Sequence, residues 1–133
     1  LSSEKDILKL FDIIICTSMK ITSSDAVTLY LVADKETGEW SSIDSSQYSN
    51  KLMKFVVSKN QSSSTDFQTF TIPITKKSIT GYTAITGKSL RINDAYNISP
   101  EMEYKHDSSF DTGSCYRSVS MLSVTMKDRN LYV

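Results

Sequence analysis

The chain of 133 residues is poor in the side chains that usually do chemistry: it has one histidine, His106, and two cysteines, Cys16 and Cys115. A zinc site normally needs four N, S or O ligands at tight local spacing, and no such cluster is present, so no metal is expected. A histidine base would have to be His106, which lies in the polar run Tyr104-Lys105-His106-Asp107-Ser108 and reads as a surface loop residue. Two distant thiols suggest a reducing, cytoplasmic setting. Net charge is also lacking. Fifteen Lys and Arg balance fifteen Asp and Glu, so nothing favours nucleic acid or anionic lipid as a partner. No apolar run approaches the roughly eighteen residues that span a bilayer, so no membrane partner is expected either. With only two prolines and four glycines, the few that occur carry positional information.

What remains is the composition of one globular domain, with 39% hydrophobic, 10% aromatic and 23% charged residues. The chain starts at Leu1 and stops at the apolar triplet Leu131-Tyr132-Val133. Domain boundaries usually fall in polar linkers, so the expectation is a single domain over residues 1–133, trimmed from a larger protein.

Ser2 or Ser3 can cap a first helix, and Ile7, Leu8, Phe11, Ile14, Ile15 and Met19 then recur at helical spacing. Residues Asp25 to Ala33 are apolar on both faces and read as a covered, central strand. Asp34 to Gly38 forms a turn, with Glu39 to Ile43 returning as the second arm of a hairpin. Leu52 to Val57 is a further strand, and Ser58 to Asp66 a solvated loop. Pro73 confines Phe70 to Thr75 to an edge or irregular extended piece. Ser78 caps a short helix that Gly87 ends in the left-handed conformation, and Ser89 to Ile92 is extended. Pro100 is expected to open a brief turn of helix. Arg117 to Met126 alternates like a strand, and Lys127 to Asn130 turns into a last one. Strands joined by turns with helices set apart define an α+β class. The expected sheet is antiparallel, with about five or six strands and with Asp25 to Ala33 and Arg117 to Met126 central.

Two stretches carry the specific signal. The first runs from Ile79 through Gly81 and Thr86-Gly87-Lys88 to Leu90, Ile92 and Asp94-Ala95; the second has Thr112-Gly113 followed by Arg117-Ser118. Gly81 and Gly87 do not form a phosphate loop, because Lys88-Ser89 follows no Gly-x-x-x-x-Gly frame. Each stretch alone is modest. Together, in this order and separation, they resemble the GAF family of small-molecule sensor domains over nearly the whole chain. Only the family's closing strand completion and C-terminal helix are lacking.

That resemblance implies a non-catalytic regulatory module, binding a small effector and controlling an attached output domain. By family association the output is an HD-type phosphohydrolase, a nucleotide cyclase or phosphodiesterase, or a histidine kinase. The implied pocket has walls from Phe55, Ile79, Thr80 and Tyr82, with the segment from Asp94 to Tyr116 as its lid. Thr112 and Tyr116 would offer hydroxyls, and Ser109 stands where the family has an Asp. Two roles stay open for Phe55, Ile79 and Tyr82, since such side chains also simply fill cores. Asp94 reads as fixing a turn through its own side chain rather than binding, and Arg117 as an ion-pair or capping residue near the strand start rather than a ligand anchor.

The chain departs from the family where cyclic-nucleotide binders carry an Asp followed by Glu, having Ser109 and Phe110 instead. Ser114 replaces the aromatic after Thr-Gly, and Tyr116 the Thr before Arg-Ser. These changes remove groups that touch a cyclic nucleotide, so neither cAMP nor cGMP is assigned. Cys115 is followed by Tyr116 rather than His, which argues against a bilin; no cofactor is expected. Two alternatives keep the fold. One is a thiol enzyme resembling free methionine sulfoxide reductase, for which Cys115 would have to serve because Cys16 looks buried. The other is a dimerisation module with a vestigial pocket. The wide apolar face of the first helix, with the family's habit of pairing through terminal helices, predicts a weak homodimer through Ile7, Phe11 and Ile14.

Overall fold

The structure, a computed structural model, describes residues 2–43, 48–60, 70–107 and 117–127, with side chains for all of these but 2–4, 55–58 and 70. The architecture is mixed α and β. Its elements are α1 (Ser2–Thr22), β1 (Ala26–Asp34), β2 (Lys51–Asn60), β3 (Phe70–Pro73), α2 (Ile79–Thr86), β4 (Leu90–Ile92) and β5 (Met121–Ser123). One sheet has the order β1-β2-β3, and β4 pairs with β5 in a second. Contacts group the chain into two compact units, Leu1–Leu31 with Met53–Ile72 and Val32–Leu52 with Pro73–Val133.

In the first unit the helical periodicity becomes a core. Phe11 and Ile15 of α1 pack on Leu29 of β1, with Ile7, Ile14, Val27 and Leu31 around them. The face lies where the spacing places it, because residues three and four apart stack on one side of a helix. After Thr22 the chain reverses through Ser23, whose φ of 53° is left-handed, and the Ser24 N–H reaches back to the Met19 carbonyl at 3.2 Å. This six-to-one bond is half of a Schellman stop, made here without the usual glycine.

The second unit holds the far end of β1 and its turn. Asp34 Oδ1 accepts the N–H groups of Glu36 (2.9 Å) and Thr37 (3.3 Å), and Gly38 closes the turn at a φ of 70°. Residues 39–41 return antiparallel to β1, with an Ala33–Trp40 bridge and a bond from the Ser41 N–H to the Val32 carbonyl. On the other side, the start of β2 meets the end of β1. The Lys35 N–H donates to the Asn50 carbonyl, and Lys51 Nζ lies 3.4 Å from Asp34 Oδ2 and 2.6 Å from Ser41 Oγ. These neighbours hold the Asp34 carboxyl below the usual carboxylate range, the Glu36 and Thr37 N–H bonds first and Lys51 after them.

Several expectations shift. β2 runs on to Asn60, three residues past the expected end, and Lys59 there brings its Nζ to 3.4 Å from Cys16 Sγ. β3 ends on Pro73 at the outside of its sheet's order, as a residue without an N–H requires. Pro100 opens no helix; the Met102 N–H closes a turn on the Ser99 carbonyl at 3.0 Å. Among the described residues the strands fall into two sheets and not one, and within Arg117 to Met126 the strand is Met121–Ser123, in the register Leu90↔Ser123 and Ile92↔Met121. The reason is the partner: a strand is no longer than what it pairs with, and β4 has three residues between the Gly87 helix stop and the Asp94 turn. The final strand expected after Asn130 lies outside the described residues.

Candidate functional site

α2 is set up by its own first residues. Ser78 Oγ accepts the Gly81 N–H at 3.0 Å, the standard use of a Ser cap. The Ser78 hydroxyl and N–H both reach the Thr75 carbonyl at 3.3 Å, which draws the preceding turn tightly over the helix start. That closeness is why residue 81 is a glycine. A Cβ there would stand 2.1 Å from the Thr75 carbonyl oxygen. At the other end Gly87 adopts a φ of 68° and its N–H bonds to the Thr83 carbonyl, ending the helix as the sequence implies.

Beside this helix lies an extended return. The Lys105 N–H donates to the Lys77 carbonyl at 2.8 Å, Ser78 and Lys105 form a parallel bridge, and the Tyr104 ring packs on Tyr82 at 5.0 Å between centroids. Beyond β4, Asp94 organises a turn. Its carboxylate accepts Asn97 Nδ2 at 2.8 Å and the Tyr96 N–H at 3.0 Å. These two bonds, followed by the Arg117 charge, hold its pKa below the ordinary value. The Arg117 guanidinium lies over the Tyr96 ring at 4.1 Å, and His106 meets that ring edge-on at 5.1 Å. A cation, two aromatic rings and a carboxylate are thereby gathered at the surface, a set that could orient a planar or anionic group.

The stretch after Arg117 runs past the one containing Asp94. Besides the β4–β5 pairs, the Ala95 N–H donates to the Val119 carbonyl at 2.7 Å, and Thr125 Oγ1 donates to the Gly87 carbonyl at 3.4 Å. The residues that follow Arg117-Ser118 are therefore hydrogen-bonded to the first motif stretch from Gly87 to Ala95, while Thr112 and Gly113 lie outside the described residues.

Of the residues expected to line a site, four have described side chains. Ile79 is buried, 5% exposed, so it is a core residue of its unit. Thr80 and Tyr82 are partly buried on α2, and Asp94 is partly buried in its turn. Tyr82 is joined to the Tyr104 segment, and Asp94 to the Tyr96, Arg117 and His106 group. Phe55 is on β2, in the other unit, and its side chain lies outside the described residues, as do Ser109, Thr112, Cys115 and Tyr116. Cys16, expected to be buried, is only partly so. It sits on the border of the α1 apolar face, between Lys59 and Asp12, whose Oδ1 is 3.7 Å from the sulfur. Sequence reasoning misses Tyr96 and Tyr104, and no local signal marks them. Their partners come from distant parts of the chain. Among the described residues no three His, Cys, Asp or Glu side chains gather to hold a metal, and no helix is long and apolar enough to cross a membrane.

No family model matches this chain, and no curated protein matches it.

Proposed function

We propose that the chain is a GAF-like sensory domain of a cytoplasmic signalling protein, non-catalytic itself, which binds a small molecule and biases an attached output domain. The observation that carries this reading is the pairing of the first motif stretch with the residues that follow Arg117-Ser118. Residues separated by some thirty positions come together as β4 and β5, with Arg117 brought onto the Asp94 turn. A shared ligand site is one reason for two such stretches to be adjacent. The effector contacts the α2 start at Thr80 and Tyr82 and the Ser109–Tyr116 segment, with nucleotides among the compounds to try first. It acts by favouring one of two conformations, since a ligand shifts an equilibrium only through its difference in affinity for the two states.

A thermal-shift screen of nucleotides and metabolites, on protein purified gently enough to keep an endogenous ligand, tests this. A compound that binds only the native state adds about 2.7 kcal/mol at a hundredfold excess over its Kd, enough to raise Tm by several degrees. Thr112→Val with Tyr116→Phe should then weaken binding while the free protein melts almost unchanged. A screen without a shift, with no molecule released on denaturation, would overturn the proposal. Unchanged affinity in the double variant would overturn the placement of the site.

A further inference from the structure

A cluster of reactive side chains lies in the first unit, away from α2 and the Asp94 turn. Cys16 of α1 and Lys59 of β2 are 43 positions apart in sequence, yet Lys59 Nζ stands 3.4 Å from Cys16 Sγ. Both residues are partly buried, and both belong to the same compact unit. On its other side the thiol donates to Asp12 Oδ1, one helical turn earlier, at 3.7 Å.

This is an unusual place for the end of a lysine. Long charged side chains bury their stems and carry the ammonium out to water or to a carboxylate. Among the described residues the Lys59 amine meets no carboxylate, and its contact is the Cys16 sulfur. Two nucleophiles from different elements are thereby held against each other. Lys54 is the contrast, since it is an odd number of positions away on the same strand and falls on the opposite face.

Neither atom has to travel far for the two to react once the sulfur is oxidised. A sulfenic acid condenses with a thiol, or with a nitrogen that lies against it. Hydrogen peroxide is the oxidant. Cys16 Sγ attacks one peroxide oxygen, the O–O bond breaks, and the thiol becomes a sulfenic acid. The sulfur gives two electrons to the peroxide, and the thiol proton leaves with the second oxygen as water. Lys59 Nζ, as the neutral amine, then attacks the sulfur. An S–N bond forms and the S–O bond breaks. The hydroxyl leaves with the amine proton as a second water, and no further electrons move. Two thiol molecules reverse the link: the first displaces the amine, and the second frees Cys16 and leaves as a disulfide.

We propose that Cys16 and Lys59 form a reversible sulfenamide cross-link on oxidation, tying α1 to β2. The proposal stands apart from the ligand-binding reading, because nothing in it uses α2 or the Asp94 turn.

Mass spectrometry of the intact chain is the test. Cys115 brings the other thiol, so Cys115→Ser removes any disulfide within the chain. Treated with hydrogen peroxide, that protein should become lighter by about 2 Da, and dithiothreitol should restore its mass. Digestion should give one branched peptide holding Cys16 and Lys59, with trypsin blocked after Lys59; the same peptide is to be sought in the unsubstituted chain. Linking positions 43 apart should also raise Tm by several degrees. Lys59→Arg should abolish the mass loss, while Lys54→Arg should keep it. A protein that only gains about 16 or 32 Da, as sulfenic or sulfinic acid, with Cys16 and Lys59 in separate peptides, would overturn the proposal. So would a thiol that peroxide leaves unchanged, or a mass loss that survives Lys59→Arg.

Discussion

Replacing Gly81 by Ala separates two arguments that give opposite signs. On helix propensity alone the change should stabilise α2 by about 1 kcal/mol, since glycine is the poorest ordinary residue in a helix interior. The packing says otherwise. The new methyl carbon would lie 2.1 Å from the Thr75 carbonyl oxygen, 2.6 Å from Ser78 Oγ and 2.9 Å from the Thr75 nitrogen. Two of the three are backbone atoms, which cannot swing aside as the end of a flexible side chain can.

Relief therefore means moving the Thr75 turn, and that turn is tied down. The Ser78 N–H and hydroxyl both bond to the Thr75 carbonyl, and the Lys77 N–H bonds to Thr75 Oγ1 at 3.3 Å. Overpacking of this kind costs about 1–3 kcal/mol. Losing the Ser78 cap adds about 0.5–2 kcal/mol. Set against the propensity gain, the net loss is about 2 kcal/mol, to be read from urea unfolding of the two proteins. Thr80→Ala, one position earlier on the same helix, is the control and should change stability by less than about 0.5 kcal/mol. If Gly81→Ala proved as stable as wild type, the close approach of Thr75 could not be the reason for the glycine.

The two apolar flanks of α1 should respond differently to truncation. Ile15, fully buried, should cost about 2–5 kcal/mol as Ile15→Ala, whereas the exposed Ile13→Ala should change monomer stability by less than about 0.5 kcal/mol; equal losses in urea unfolding of dilute protein would mean the helix faces another way. The depressed pKa of Asp34 predicts the form of the acid limb. A carboxyl with a lowered folded pKa stabilises fully above its unfolded value, near about 4, and loses that contribution as pH falls through the folded value. Asp34→Asn should thus be less stable at neutral pH and lose less between pH 4 and 2, in each case by way of the Glu36 and Thr37 N–H bonds. An unchanged slope in that pH range would show that the Asp34 charge is not what the turn relies on.

How much of this could be read from the sequence depends on how local the cause is. The limits of α2 were legible because Ser78 and Gly87 act on backbone groups within a turn of themselves. The Asp34 to Gly38 turn and the turn-fixing role of Asp94 were legible for the same reason. The length of β5 was not, because the alternation from Arg117 to Met126 says that these residues can be a strand, while β4 decides how many are paired. The apolar face of α1 is visible as periodicity, yet of that set Leu8 is left 38% exposed while Phe11 and Ile15 are buried. A wide apolar face does not say which of its edges meets the core until Leu29 is packed against it.

The candidate site was legible in a narrower sense. Single residues such as Asp94 and Tyr82 could be picked out, but the Tyr96, His106 and Arg117 group could not, since each member looks like an ordinary surface residue in its own neighbourhood. The pairing of β4 with β5 supplies the connection. Ala95 is bonded to Val119, and Asp94 and Tyr96 after β4 and Arg117 before β5 fall together. Hydrogen bonding of two short strands thus does what no local spacing can. It brings the segment carrying a guanidinium beside the one carrying a ring and a carboxylate. On the proposed reading, in which Asp94 belongs to the site, a change in the β4–β5 register should weaken ligand binding even where no residue of the Asp94 turn is altered, as titration of a register variant against an identified ligand would show.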